Sequence, residues 1–102
     1  MKLYKLSQEI NTGCDTYNSA IVCAKNEEQA RKIYPDSFIT YNNKNQWYLT
    51  YPKKSKPSIH GYIYTGDCWV NAEQLDKIKV EYIGEASKNL KKGLILASFN
   101  AG

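Results

Sequence analysis

The chain is poor in the residues that carry most protein chemistry at neutral pH. It has one histidine, His60, and three widely spaced cysteines, Cys14, Cys23 and Cys68. A four-ligand zinc site would need carboxylates as well, and no Cys-x-x-Cys pair starts one. The odd cysteine count argues against a disulfide framework, so three reduced, structural thiols are expected. There is no glycine-rich phosphate loop, no G-x-S-x-G, no H-E-x-x-H and no paired His–Cys signature. No metal or cofactor is expected. No apolar run approaches the ~20 residues of a membrane span. The start, MKLYKLSQEI, lacks the apolar core and small-residue cleavage site of a secretory signal. The expectation is a cytoplasmic protein that makes no membrane contact.

What is abundant is aromatic. Nine tyrosines and two tryptophans stand among 102 residues, many of them in one half of the chain. The net charge of +4 is mild, well short of the dense basic stripe of a dedicated duplex binder. Hydrophobic residues at 42% and charged residues at 24% suit one ordinary domain, 1–102, that buries a modest core unaided.

The stretch from Asp15 to Pro35 organises the rest. Ile21 and Cys23 alternate with Ala20, Val22 and Ala24, which suits a strand buried on both sides. Asn26 then stands as an N-cap, with Gln29 at capping-box spacing and Glu27 and Glu28 at the positive end of the helix dipole. Pro35 ends a helix over about 26–34. Before this, Leu3, Tyr4 and Leu6 predict a first strand, with Lys2 and Lys5 suggesting an outer position in the sheet. Asn11-Thr12-Gly13 predicts the turn of a hairpin. After it, 36–66 reads as an irregular β-rich arm. Gln46 to Tyr51 has strong β preference and can pair with Ile59 to Thr65 across the loop Pro52–Ser58. Asn71 to Asp76 predicts a short capped turn. Ile78, Val80 and Tyr82 alternate with charged residues as a half-buried strand, and Leu94 to Phe99 is a last apolar strand after a basic turn at 87–93, whose residues 90–93 read as a solvated hairpin corner. The fold class is α+β, a mostly antiparallel β-sheet with one principal helix.

Chemistry is sparse along this frame. His60 is the only conventional general base, and no partner stands at recognisable spacing. Glu27 and Glu28 serve the helix dipole, and Asp15 and Asp67 fit turn roles. An enzyme is therefore not expected, and no catalytic residue is assigned. The arm is the best binding candidate. Tyr41, Trp47, Tyr48, Tyr51, Tyr62 and Tyr64 can anchor a protein partner or stack on bases. Lys44, Lys53, Lys54, Lys56 and His60 would add basic contacts. The same rings can also pack against the sheet with the lysines solvated. Trp69, between turn and strand, reads as a core anchor.

Three strings carry a resemblance: MKLYKLSQ, then DTYNSAIVCA followed by NEEQAR and IYP, then KVEYIGEA with GLILASFNAG. They resemble a small family of uncharacterised phage and prophage proteins over about 1–35 and 67–102. The resemblance implies a fold and carries no catalytic residue across. The join at 36–66 is longer here and richer in tyrosine and lysine than the family's pattern. Small phage proteins without catalytic signatures often act by binding, inhibitors of bacterial immunity such as anti-CRISPR proteins among them. The resulting expectation is a phage-derived binding protein, without enzyme activity, that inhibits or modulates a host protein. A CRISPR-type nucleoprotein complex is one candidate target. The alternative is direct binding of nucleic acid or sequestration of a signalling nucleotide. Monomer and homodimer both remain open.

Overall fold

The computed structural model describes residues 1–42, 44–52 and 59–100, and for 51, 52, 59 and 60 the backbone alone. The chain runs β1 (Lys2–Ser7), β2 (Thr16–Ala24), α1 (Glu27–Arg31), β3 (Ile39–Tyr41), β4 (Trp47–Pro52), β5 (Ile59–Ile63), a 3-10 turn (Ala72–Lys77), β6 (Lys79–Glu85) and β7 (Gly93–Asn100). These strands form two antiparallel sheets, one in the order β6-β1-β2-β7 and one in the order β3-β4-β5. The fold is thus α+β, with strands dominant. Among the described residues no helix is long and apolar enough to cross a membrane.

Alternation explains the larger sheet. Opposed residues of an antiparallel pair share a face. Tyr4↔Val22 and Leu6↔Ala20 therefore lie on one face, and Leu3↔Cys23 and Lys5↔Ile21 on the other. The first face is buried and meets the helix and the smaller sheet in one continuous core. Leu6, Val22, Val70 and Ile78 are among its most deeply buried members. On the second face Cys23 is buried, but Ile21 is only half-buried and Leu96 opposite it on β7 is exposed, so β2 is not covered on both sides along its length.

Two expectations about this sheet need correcting. β1 is a central strand between β2 and β6, not an outer one. Lys2 and Lys5 are exposed, and Lys5 stands opposite Glu81 on the open face. The solvated face accommodates it, so no sheet edge is needed. The strands at 79–85 and 93–100 are not a hairpin either. They occupy opposite edges, and the basic segment 87–92 crosses three strand spacings, about 14 Å. Six residues can span that when extended. A local turn signal does not specify which strand the next one joins.

The helix is shorter than expected. Asn26 caps it, its Oδ1 accepting from the Gln29 N–H at 2.8 Å, while Gln29 Oε1 accepts from the Lys25 N–H at 2.8 Å. The α-helix ends at Arg31, and Lys32, at φ −91°, ψ 10°, tightens the exit. Tyr34 and Pro35 then enter the interior, both buried. Arg31 Nη1 donates to the carbonyls of Leu75 and Ile78, which ties the helix end to the 3-10 turn. That turn is capped by Asn71, whose Oδ1 accepts from the Glu73 N–H.

Candidate functional site

The arm is a three-stranded sheet with an inner and an outer face. β4 pairs with β5, as the sequence suggests, and β3 adds a strand on its other side. Ile39↔Leu49 and Tyr41↔Trp47 face inward. Thr40↔Tyr48 face outward, and Ile63, opposite Tyr48, joins them. The inner residues Ile39, Trp47 and Leu49 are buried.

The inner face divides the expected binding residues. Trp47 is only 4% exposed, and its indole N–H donates to the Val70 carbonyl at 2.8 Å. It is a core residue and not part of a contact surface. Tyr34 stands at the centre of an edge-to-face aromatic cluster. Its ring centroid lies 5.0 Å from Trp47, 5.6 Å from Tyr64 and 6.3 Å from Tyr17. Tyr17 in turn meets Phe99 at 4.9 Å. Such pairs favour this geometry because the electropositive edge of one ring meets the electronegative face of the next.

Tyr41 and Tyr64 sit half-buried at the margins of this cluster. Tyr41 packs on Trp47 at 5.7 Å, donates to Asn45 Oδ1, and carries the Lys32 ammonium 5.4 Å from its ring centroid. The Tyr64 hydroxyl donates to Cys68 Sγ at 3.4 Å. Burial, with that bond second, pushes the Tyr64 hydroxyl up to about 12. Burial likewise raises Tyr34, with the neighbouring Tyr64 hydroxyl the next cause. The Tyr34 hydroxyl and the Trp69 indole N–H are buried without a hydrogen-bond partner among the described residues. Trp69 is a core anchor, as expected, at 1% exposure.

The outer face is what remains available to a partner. Tyr48 lies half-buried there. Its ring lies over Gly61, where an added Cβ would stand within 2.9 Å of the Tyr48 hydroxyl oxygen. Glycine at 61 is therefore what lets the ring lie flat on the sheet. Ile63 beside it is half exposed, as is Phe38 at the entry to β3, while Tyr62, opposite inward-facing Leu49, is exposed on the other side of the sheet. The Phe38 carbonyl accepts from the Thr50 N–H at 2.9 Å, which holds this segment against β4. Phe38 and Ile63 were not anticipated as surface residues. The signal that could have separated inward from outward rings is the two-residue period of Trp47-Tyr48-Leu49-Thr50.

Among the basic candidates, Lys44 is exposed at the β3–β4 turn. Lys53, Lys54 and Lys56 lie outside the described residues, as do the side chains of Tyr51 and His60. Among the described residues no group of three or more His, Cys, Asp and Glu side chains could hold a metal ion. The three cysteines are free, Cys23 buried and Cys14 exposed. A groove of about 690 Å³ runs between α1, β3 and the start of β7. Glu28, Lys32, Asp36 and Lys92 mix both signs along it, so it has no preference for one charge.

The site offers apolar and aromatic contact with few ionisable groups. No family model, no curated protein and no solved structure matches this chain.

Proposed function

We propose that this chain is a binding protein without enzyme activity, and that it engages a protein partner through the outer face of the β3-β4-β5 sheet. The observation that carries this reading is the set of half-buried Tyr48 and exposed Ile63 and Phe38 on a sheet whose inner face is already packed. Core demand does not explain them. Tyrosine and isoleucine at such a position bury large area at small entropic cost. In line with the resemblance to phage proteins, the partner would be a host protein in the bacterial cytoplasm, inhibited or modulated by contact.

The test is a pull-down from bacterial lysate with the tagged chain, with and without nuclease, against Tyr48→Ala with Ile63→Ala. One host protein retained after nuclease by the native chain, and lost by the double variant while its circular dichroism at the assay temperature stays native, is the expected result. Retention by the double variant would sink the reading.

Nucleic acid or a signalling nucleotide is the second reading, carried by exposed Lys44 at the β3–β4 turn, in the same sheet as Tyr48. It requires affinity that falls steeply with salt. Binding insensitive to salt would exclude it.

A further inference from the structure

The larger sheet has two edges, β6 and β7, and they are guarded differently. β6 carries Lys79, Glu81 and Glu85, the kind of charged residues that keep natural sheet edges from pairing. β7, GLILASFN, has no charge and no proline. Ile95, Leu96 and Phe99 are exposed along it, Leu96 to 66%. Among the described residues no strand pairs with its outer side. Its bulge falls at Ile95, where Ile21 pairs with Leu96 and Val22 with Leu94. A second register shift lies opposite Ser98 and Phe99, but its extra residue, Asn18, is on β2, so β7 itself carries no further inserted residue from Leu96 onward.

Charge is also polarised along this strand. Lys88, Lys91 and Lys92 lead into β7. Its far end lies against Asp15, whose N–H donates to the Asn100 carbonyl at 2.6 Å. Asp67 lines the same hollow as Asp15. A second β7 laid antiparallel along this edge sets Lys91 and Lys92 of each chain beside the acidic end of the other. A parallel copy would set lysine against lysine.

We infer that two copies of this chain pair β7 to β7, antiparallel about a two-fold axis, to form a continuous eight-stranded sheet. The two Leu96 side chains then lie near one another on its open face. The interface is isologous and closes at two copies, because each chain spends its one unguarded edge of this sheet and β6 remains charged. A second copy fits this edge better than an unrelated strand, since the charge pattern complements itself only under antiparallel self-pairing.

Sedimentation velocity on the purified chain tests this directly. The expected species has twice the 11.7 kDa chain mass, with a dissociation constant of roughly 10 µM or tighter. Leu96→Lys with Ser98→Lys places like charges across the dyad and weakens the dimer by roughly tenfold or more. Both positions are exposed, so circular dichroism and the melting curve of the diluted variant should match the native monomer. Amide hydrogen exchange gives an independent reading. Protection at Leu96 to Phe99 should rise with protein concentration while β6 stays unchanged. Lys91→Glu with Lys92→Glu should weaken the dimer, and Asp67→Lys added to them should restore it. A chain that sediments as a monomer at ~100 µM, far above the expected constant, overturns the inference. So does a double-lysine variant that dimerises as the native chain does. Neither failure touches the partner reading, because Tyr48 and Ile63 lie on the other sheet.

Discussion

In the β6-β1-β2-β7 sheet the buried face is mostly small and aliphatic, with Leu6, Ala20, Val22 and Ala24 along two central strands. In the β3-β4-β5 sheet the inward face sets Tyr41 and Trp47 beside Ile39 and Leu49, and an indole hydrogen bond runs from Trp47 to Val70. Central aliphatic strands spread their stabilisation over many equivalent contacts, so no single residue dominates. The arm concentrates its attachment in Trp47, Tyr41 and Tyr64, which meet Tyr34 or each other edge to face. The opposite face is more open, with the Tyr48 ring half-buried over Gly61 and Ile63 half exposed.

The contrast can be broken most severely at Trp47. Trp47→Ala removes a buried ring and leaves the Val70 carbonyl without its donor, at a cost of about 3–5 kcal/mol. Because the two sheets share one core, hydrogen exchange should show β1 and β4 losing protection together in urea. Loss in β4 alone would mean that the arm is a separate lobe. Next comes Gly61→Ala, which forces the Tyr48 ring off the sheet and costs about 1–3 kcal/mol. Chemical denaturation measures the cost, and partner binding should fall further than stability explains. Asn26→Ala removes the helix cap and should cost about 1 kcal/mol, read as a lower urea midpoint.

The smallest change has the opposite sign. Tyr34→Phe deletes a buried hydroxyl that makes no hydrogen bond among the described residues and should stabilise by about 1 kcal/mol or less. It should also flatten the alkaline limb. Tyr34 and Tyr64 both titrate above the ordinary tyrosine value when folded, Tyr64 at about 12. Below about pH 10 both states keep these protons, and their contribution is fully present. Above it the unfolded chain loses protons first, so stability falls as pH rises towards the folded values. Urea midpoints taken from about pH 9 to pH 12 should drop less steeply for Tyr34→Phe than for the native chain. An identical slope would mean that Tyr34 contributes nothing to alkaline unfolding.

Much of the architecture was legible in local pattern. The cap at Asn26, the apolar alternation of β2, the β4–β5 pair and the half-buried strand at 79–85 rest on neighbours within a few residues, where propensity and period act. The three-residue β3 was missed, since so short a run carries no period of its own. Of the arm rings, the sequence supplied only an unsorted set. Trp47 and Tyr48 are adjacent and both aromatic, yet one is core and the other lies half-buried on the outer face.

By itself, then, the sequence determined the strand-rich α+β class, the capped helix start and the concentration of aromatic residues at 36–66, because each depends on local backbone preference. Only the tertiary structure decided that β1 is central, that 79–85 and 93–100 occupy opposite edges, and which rings face inward. Those outcomes depend on which distant strand pairs with which, and a one-residue change of register would send every ring to the opposite face.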